Sequence, residues 1–209
     1  MPSLFDRVCI NLQAVDTVRR MGLLKPKMAS TALQSAKRWG PTLAAGYAAG
    51  VARRGDQAAV IDDEGTLTFR QVHQQSSALA NALAARGVGP ETPVALLARN
   101  SRWFVLAVAA LDKLGATVLY MNTGFAGPQL AEVLEREGCD LLLHDDEFSE
   151  AVAGYAPDVQ RLVCDRAPAD GTEDLPALVA AASTTDPPKP ERQGRQVILT
   201  SGTTGTPKG

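Results

Sequence analysis

Residues 197 to 209, VILTSGTTGTPKG, join a short apolar run to a loop of glycines, small hydroxyls and one lysine. The apolar run at 197–199 predicts a buried strand. Within the loop, Gly202 and Gly205 lack a Cβ, so the backbone can adopt unusual dihedral angles and approach a ligand closely. Successive backbone N–H groups in such a turn form a concavity that binds anions. The stretch therefore predicts a phosphate site, although a plain turn or linker has a similar composition.

The side chains of this loop suit a polyphosphate ligand. Hydroxyl groups can donate hydrogen bonds to phosphate oxygens, and Lys208 adds a compact cation on a flexible stem. The residues predicted to contact phosphates are Thr200, Ser201, Gly202, Thr203, Thr204, Gly205, Thr206 and Lys208. Two common phosphate patterns do not match. The Walker pattern needs a glycine where Pro207 stands and a Ser or Thr after Lys208, and the G-x-G-x-x-G pattern is absent from the chain.

The string TSGTTGTPKG resembles the phosphate-binding loop of the AMP-forming acyl-adenylate superfamily, which includes acyl-CoA synthetases, luciferases and the adenylation domains of peptide synthetases. Two upstream stretches agree. GTLTFRQV at 65–72 is similar to the L-T-Y-x-E-L segment, with Gln71 in place of the usual Glu. LGATVLYMN at 114–122 is similar to the x-G-A-x-x-x-P-x-N segment, with Tyr120 or Met121 near the usual Pro. The resemblance covers about residues 45 to 209, the amino-terminal part of a family member.

The resemblance implies two half-reactions in a full family member. A carboxylate attacks the α-phosphorus of ATP to give an acyl adenylate and pyrophosphate, and a thiol, usually that of CoA, then attacks the acyl carbonyl. The loop and Lys208 would stabilise charge on the departing phosphates, with Mg²⁺ sharing that work. Within the superfamily, the chain looks most like bacterial long-chain fatty-acid–CoA ligases. We therefore expect ATP, Mg²⁺ and CoA as cofactors and a fatty acid as substrate.

The resemblance places the catalytic lysine, the acyl pocket and the adenine and ribose contacts later than Gly209. We assign no catalytic residue within this chain and expect the isolated 209-residue chain to be inactive. The alternative function is a non-catalytic truncated remnant, or a module that binds a nucleotide or a partner.

The composition is that of an ordinary globular protein, with 45% hydrophobic and 21% charged residues. A net charge of −2 gives no overall attraction to nucleic acid. Cys9, Cys139 and Cys164 form no closely spaced pair, so we expect buried free thiols and no zinc site. Because the sequence predicts neither a membrane span nor a signal peptide, we expect a cytoplasmic protein.

A change in charge divides the chain into two parts. Residues 1–41 are predicted to form a basic helical extension, and residues 42–209 the truncated adenylate-forming domain that ends at the phosphate loop. Residues 1–40 carry seven basic and two acidic residues, a net +5, so the remainder carries −7.

The extension contains two predicted helices. An apolar stripe at helical spacing marks the first: Leu4, Val8, Leu12, Val15 and Val18. The second covers residues 29–39. A basic amphipathic helix can lie in a membrane interface, which would make the protein a peripheral membrane protein. Docking of the stripe onto the protein's own core is the alternative that we favour.

Strand and helix patterns alternate from residue 42 onward. They predict an α/β fold with a mostly parallel sheet covered by helices on both faces. The predicted strands are 58–61, 66–69, 93–99, 117–121, 141–143, 161–164 and 197–199. The predicted helices are 43–53, a helix that begins at a capping box of Thr68 and Gln71 and runs to about 86, 103–114, 128–137, 147–153 and 175–182. Residues 183–196 are predicted to be an exposed connector.

Other polar and aromatic residues receive structural predictions. His144-Asp145-Asp146-Glu147 could ligate a metal, but we predict a solvated turn at the end of a strand and no metal site. His73 lies among polar residues of a predicted helix and is expected to face solvent. Trp103, Phe104 and Tyr120 are expected to be core residues.

Overall fold

The computed structural model describes residues 26–125, 127–166 and 171–199. Its helices are α1 (Pro26–Trp39), α2 (Leu43–Arg54), α3 (Phe69–Ala84), α4 (Arg102–Leu114), α5 (Gly127–Glu137), α6 (Ser149–Tyr155) and α7 (Leu175–Ala181). A 3₁₀ turn at Asp146–Phe148 precedes α6. The strands are β1 (Ala58–Asp62), β2 (Gly65–Thr68), β3 (Pro93–Leu97), β4 (Thr117–Tyr120), β5 (Leu141–His144), β6 (Gln160–Val163) and β7 (Gln196–Ile198).

Five of the strands form one sheet in the order β6-β5-β3-β4-β7, and every neighbouring pair is parallel. In the register of this sheet, Leu96 of the central strand β3 lies beside Tyr120 of β4 and Leu143 of β5. Strands β1 and β2 form a separate antiparallel hairpin. The α/β class with a mostly parallel sheet, predicted from the alternation of strand and helix patterns, is confirmed.

Local sequence signals set the ends of several helices. The capping box at the start of α3 is confirmed: Thr68 Oγ1 accepts from Gln71 N at 3.2 Å, and Gln71 Oε1 accepts from Thr68 N at 2.8 Å. Ser101 Oγ accepts from Phe104 N at 3.3 Å and begins α4. At the other end of α4, Gly115 adopts a left-handed φ of 70°, a conformation that favours glycine. The predicted bounds are therefore correct to within a few residues, although Phe69 opens α3 and does not extend β2.

Two apolar clusters cover the two faces of the parallel sheet. Leu79 and Leu106 belong to the cluster on the side of α3, α4 and α7. Leu134 and Val152 belong to the cluster on the side of α5 and α6. Successive residues of each strand alternate between the clusters, as the pleat requires. Each fully buried leucine contributes roughly 1.5–3 kcal/mol, so burial on both faces is the main stabilisation of this sheet.

The predicted exposed connector is a packed segment over part of its length. We call residues 183–195, between α7 and β7, the strap. Pro187 and Pro190 are buried, and Asn81 Nδ2 donates to the carbonyl oxygens of Ser183 and Thr185 at 2.8 Å each. The prediction of an exposed connector is wrong for Pro187 and Pro190, because the strap lies against α3 and the end of α4, whereas Ser183, Thr184 and Thr185 are exposed as predicted.

The first helix predicted in the extension, together with residues 1–25 as a whole, lies outside the described residues. The second is confirmed within α1, where Trp39 is buried in a small cluster with Ala44, Ala45 and Ala109. None of the helices that the structure describes is both long enough and apolar enough to cross a membrane.

Candidate functional site

Strand β7 leads directly into the predicted phosphate loop. The loop residues Thr200, Ser201, Gly202, Thr203, Thr204, Gly205, Thr206 and Lys208 lie outside the described residues. The strand that delivers them lies beside β4, with Ile198 in register with Tyr120. Since all five strands are parallel, β7 ends at the carboxyl edge of the sheet, where ligands of such sheets bind.

The carboxyl edge is open around β4 and β7. Ile198 is 69% exposed, and Asn122 is exposed in the loop after β4, where its Oδ1 accepts from Gly124 N at 2.9 Å. Tyr120 is half-buried and stacks on Phe104 with ring centroids 5.7 Å apart. A pocket of about 320 Å³ opens beside these rings and is lined by Thr42, Leu43, Phe104, Val108, Asp112, Tyr120 and Gln196, with Pro41 at its rim.

Around β3 and β5, hydrogen bonds and ion pairs close the carboxyl edge of the sheet. The backbone N–H of Arg99 donates to Asp145 Oδ2 at 2.6 Å, and the Arg99 guanidinium donates to both oxygens of Glu147 at 2.7 and 2.9 Å. Arg99 also lies over the Phe148 ring. Burial raises the pKa of Asp145 to about 6. These contacts join the loops after β3 and β5, which leaves the β4–β7 side as the accessible part of the edge.

The solvated turn predicted at 144–147 is wrong for its first two residues. His144 and Asp145 are buried, because the turn begins inside the sheet and His144 is the last residue of β5. His144 Nδ1 lies 3.0 Å from the carbonyl oxygen of Asp145, and burial lowers the pKa of the imidazole. Within the described parts of the chain, no group of three or more His, Cys, Asp or Glu residues is placed to hold a metal ion.

The prediction that His73 faces solvent is also wrong. The imidazole is half-buried, with its ring edge-on to Trp39 at 5.9 Å between centroids and its Nε2 3.3 Å from Asp186. Burial is the first cause of its lowered pKa, and the neighbouring Lys113 ammonium is the second. Trp103 is buried as predicted, whereas Phe104 and Tyr120 are only partly buried.

Two buried ionisable residues were missed from the sequence. Asp112 and Lys113 are consecutive near the end of α4, and their exposures are 4% and 0%. Burial raises the pKa of Asp112 to about 6 and lowers the pKa of Lys113 to about 7. The sequence offered a signal for these two residues. The charged pair interrupts an otherwise apolar helix where its stripe of buried side chains would normally continue.

The described cysteines are buried free thiols, as predicted. Burial raises the pKa of Cys139 to about 12 and that of Cys164 well above its ordinary value. Both are therefore protonated near neutral pH and are packing residues. Cys9 lies outside the described residues.

Comparison with known proteins adds evidence that extends over the predicted phosphate loop. The profile of the family described as AMP-binding enzyme matches residues 47–209. Surfactin synthase subunit 1 of Bacillus subtilis is 34% identical over 155 residues, which are 74% of this chain and 4% of that protein. Phosphinothricin tripeptide synthetase PhsC of Streptomyces viridochromogenes is 34% identical over 162 residues, which are 75% of this chain and 14% of that protein. The chain thus spans only a small part of these relatives.

Solved structures show the same fold. The anthranilate CoA ligase AuaEII in complex with anthranoyl-AMP superposes with a TM-score of 0.73 at 23% identity, over 80% of this chain and 33% of that one. O-succinylbenzoate coenzyme A synthetase of Bacillus subtilis, in complex with AMP, superposes with a TM-score of 0.63 at 26% identity, over 81% of this chain and 41% of that one. The chain therefore spans less than half the length of each of these two solved proteins.

Proposed function

Since this chain belongs to the AMP-binding enzyme family, we propose that it is the amino-terminal part of an ATP-dependent ligase that activates a carboxylate as its adenylate. Thr200, Ser201, Gly202, Thr203, Thr204, Gly205, Thr206 and Lys208 would contact the phosphates of ATP. The observation that carries the proposal is the passage of β7, at the open carboxyl edge of a parallel sheet, directly into this glycine- and threonine-rich loop.

The loop would act on the charge that develops as pyrophosphate leaves. Backbone N–H groups and hydroxyls placed around the β- and γ-phosphates stabilise that charge, and Lys208 adds a cation. One preorganised donor of this type contributes about 3 kcal/mol to lowering a barrier. Because the described residues offer no cluster of metal ligands, Mg²⁺ would arrive with the nucleotide, and the role of this chain is to hold the phosphates.

The acyl substrate is the finer part of the proposal. We propose a fatty acid with CoA as the thiol acceptor, on the overall similarity of the sequence to long-chain fatty-acid–CoA ligases. A second candidate is activation of an amino acid, which the 34% identity to peptide synthetases favours. A non-catalytic module that binds nucleotide is the third. Release of AMP by the full-length ligase of which we propose this chain to be a part, in the presence of ATP, Mg²⁺, CoA and panels of fatty acids or amino acids, separates the three. We expect no release from the isolated chain.

The loop is tested by titrating the chain with magnesium pyrophosphate and with MgATP in a calorimeter. Replacing Thr203 and Thr204 with alanine should weaken binding by about tenfold or more, since each lost donor contributes roughly 1 kcal/mol. The matched control is the alanine replacement of Thr66, an exposed threonine of the separate β1–β2 hairpin. Equal affinity in the loop variant and the wild type would contradict the proposal.

We further propose a cytoplasmic protein in which the apolar stripe of residues 1–40 docks onto the protein's own core, with peripheral contact with membranes as the alternative. The net charge of +5 on residues 1–40 favours that alternative. Under the alternative, co-sedimentation with liposomes should require anionic lipid and weaken as salt is added. Binding to neutral and anionic liposomes alike, or to neither, would contradict the alternative.

A further inference from the structure

Two adjacent residues near the end of α4 bury ionisable groups that contact different neighbours. A buried charge is costly unless it is paired and hydrogen-bonded, so the partners of such groups reveal what the arrangement holds in place. Asp112 and Lys113 have different partners. The partners of Lys113 include a residue near the start of the strap, and the partners of Asp112 include the residue that follows its end.

Lys113 fastens the beginning of the strap. Its Nζ donates to Ser76 Oγ at 2.9 Å, to Ser77 Oγ at 2.7 Å and to the carbonyl oxygen of His73 at 2.8 Å. The Ser77 hydroxyl in turn donates to Asp186 Oδ1 at 2.8 Å, and Lys113 Nζ lies 3.8 Å from the same oxygen. The strap carboxylate is thus the counter-ion of a lysine that has no contact with water.

Asp112 fastens the residue that follows the strap. Its Oδ1 accepts from Gln196 Nε2 at 2.8 Å, and its Oδ2 accepts from the backbone N–H of Ala44 at 3.2 Å. The Gln196 Oε1 accepts from the Tyr120 hydroxyl. Both ends of the Gln196 amide are therefore bonded, and Gln196 is the first residue of β7.

Between these two ends, the strap lies directly on the turn from α4 to β4. A Cβ on Gly115 would lie 2.1 Å from the carbonyl oxygen of Arg192, and a Cβ on Gly194 would lie 1.8 Å from that of Ala116. Arg195 O accepts from Val118 N at 2.8 Å. The backbone contact leaves no room for the strap to shift along the turn.

We propose that Asp112 and Lys113 are positioning residues for the phosphate loop, because they fasten both ends of the strap to one helix and so fix where β7 delivers residues 200–208. The proposal rests on the proposed function of that loop. Strand β7 is three residues long and pairs in parallel with β4. The two anchors add polar contacts from α4 to that pairing, one before the strand and one at its first residue.

The first experiment uses hydrogen–deuterium exchange on the whole 209-residue chain. Lys113→Met removes the buried ammonium and keeps an unbranched side chain, and Gln196→Glu places two carboxylates against each other. Each should speed exchange of peptides covering residues 183–199 by about tenfold, while β3 and β5 keep their protection. The matched control is Val152→Ala in α6, which removes buried volume on the far face of the sheet.

The second experiment measures affinity for magnesium pyrophosphate. Lys113→Met and Gln196→Glu should weaken it by roughly 2- to 30-fold, the range found for residues that act on a site through a packed network. A reciprocal exchange, Asp112→Asn combined with Gln196→Glu, swaps the amide and the carboxylate between the two positions. The amide at position 112 then donates the hydrogen bond to the carboxylate at position 196. The double variant should restore affinity to within about twofold of the wild type, which a loss of general stability would not explain.

Three outcomes decide the inference. Faster exchange confined to the strap and β7, with weaker binding that the reciprocal exchange restores, supports it. Unchanged exchange at 183–199 in both single variants overturns it, as does an equal loss of affinity in Val152→Ala. A wild-type chain that binds neither pyrophosphate nor ATP would overturn the proposed function of the loop, while localised faster exchange in the variants would still support the anchoring of β7.

Discussion

Among the residues that the structure describes, β6 and β7 border the parallel sheet, and they are held in place by different physical means. At β6, Leu162 and Val163 are each 1% exposed, and the chain at Asp174 forms a further parallel bridge to Val163. At β7, Gln196 and Ile198 are exposed, and polar contacts from the strap to α4 replace burial. A buried apolar side chain tolerates little change in volume but needs no specific bonding partner. A hydrogen bond or ion pair, in contrast, fixes the direction from which two groups approach each other. The border that precedes the predicted site is the one held by anchors.

The largest expected effect on stability compares the burial of β6 with that of β7. Leu162→Ala at β6 should lower the free energy of unfolding by about 3 kcal/mol, because it leaves a cavity between sheet and helices. Val197→Ala at β7 should lower it by about 1 kcal/mol or less, since that side chain is half-buried. Urea unfolding followed by circular dichroism measures both. Equal losses would show that β7 is as deeply packed as β6.

The second effect concerns pH and the β7 anchor. Burial raises the pKa of Asp112 to about 6, above its ordinary value of 3.8. The folded chain then binds this proton more tightly than the unfolded chain, so the group makes stability fall as pH rises between these two values. Asp112→Asn should remove about 2 kcal/mol of the difference in unfolding free energy between pH 4 and pH 7.

The control for this pH effect is Asp145→Asn, because burial also raises the pKa of Asp145 to about 6. That carboxyl lies after β5 and does not contact the strap. The Asp145→Asn variant should remove a similar part of the pH dependence of the unfolding free energy, without faster hydrogen–deuterium exchange in residues 183–199. Parallel pH profiles for the wild type and Asp112→Asn would contradict the prediction.

The third effect is steric. Gly194→Ala places a Cβ against the backbone of Ala116, which a side-chain rotation cannot relieve, and should cost about 1.5 kcal/mol. Gly154→Ala in α6 is the matched control, since a Cβ there meets nothing within 4 Å. Thermal unfolding of both variants measures the difference. A Gly194→Ala variant as stable as the wild type would show that the strap moves freely on the turn.

The smallest effect removes one hydrogen bond at the β7 border. Tyr120→Phe keeps the stack on Phe104 and loses the donor to Gln196, so we expect a loss of about 0.5–1 kcal/mol. Tyr155→Phe, at an exposed position in α6, is the control and should change stability by less than about 0.5 kcal/mol. A Tyr120→Phe loss no greater than that of the control would remove Tyr120 from the anchor.

The fold could be predicted from the sequence because its signals are local. Thr68 and Gln71, Ser101 and Gly115 mark helix ends within three or four residues of the groups they bond. The candidate site was predictable only as far as its loop, where residue types carry the chemistry. The errors at His73, His144 and the strap share one cause, because the burial of a polar residue depends on elements far along the chain.

The amino-acid sequence by itself determined the alternation of strands and helices, and it predicted phosphate binding by residues 200–208, which lie within the family match. Only the tertiary structure decided which contacts hold the strap and the strand β7 that precede that loop. Gln196 and Asp112 are 84 residues apart, and Asn81 and Thr185 are 104 apart, yet each pair is hydrogen-bonded. No local periodicity encodes such pairs. The first pair forms because folding buries Asp112 near the end of α4, and a buried charge then requires whichever partner the packing brings within reach.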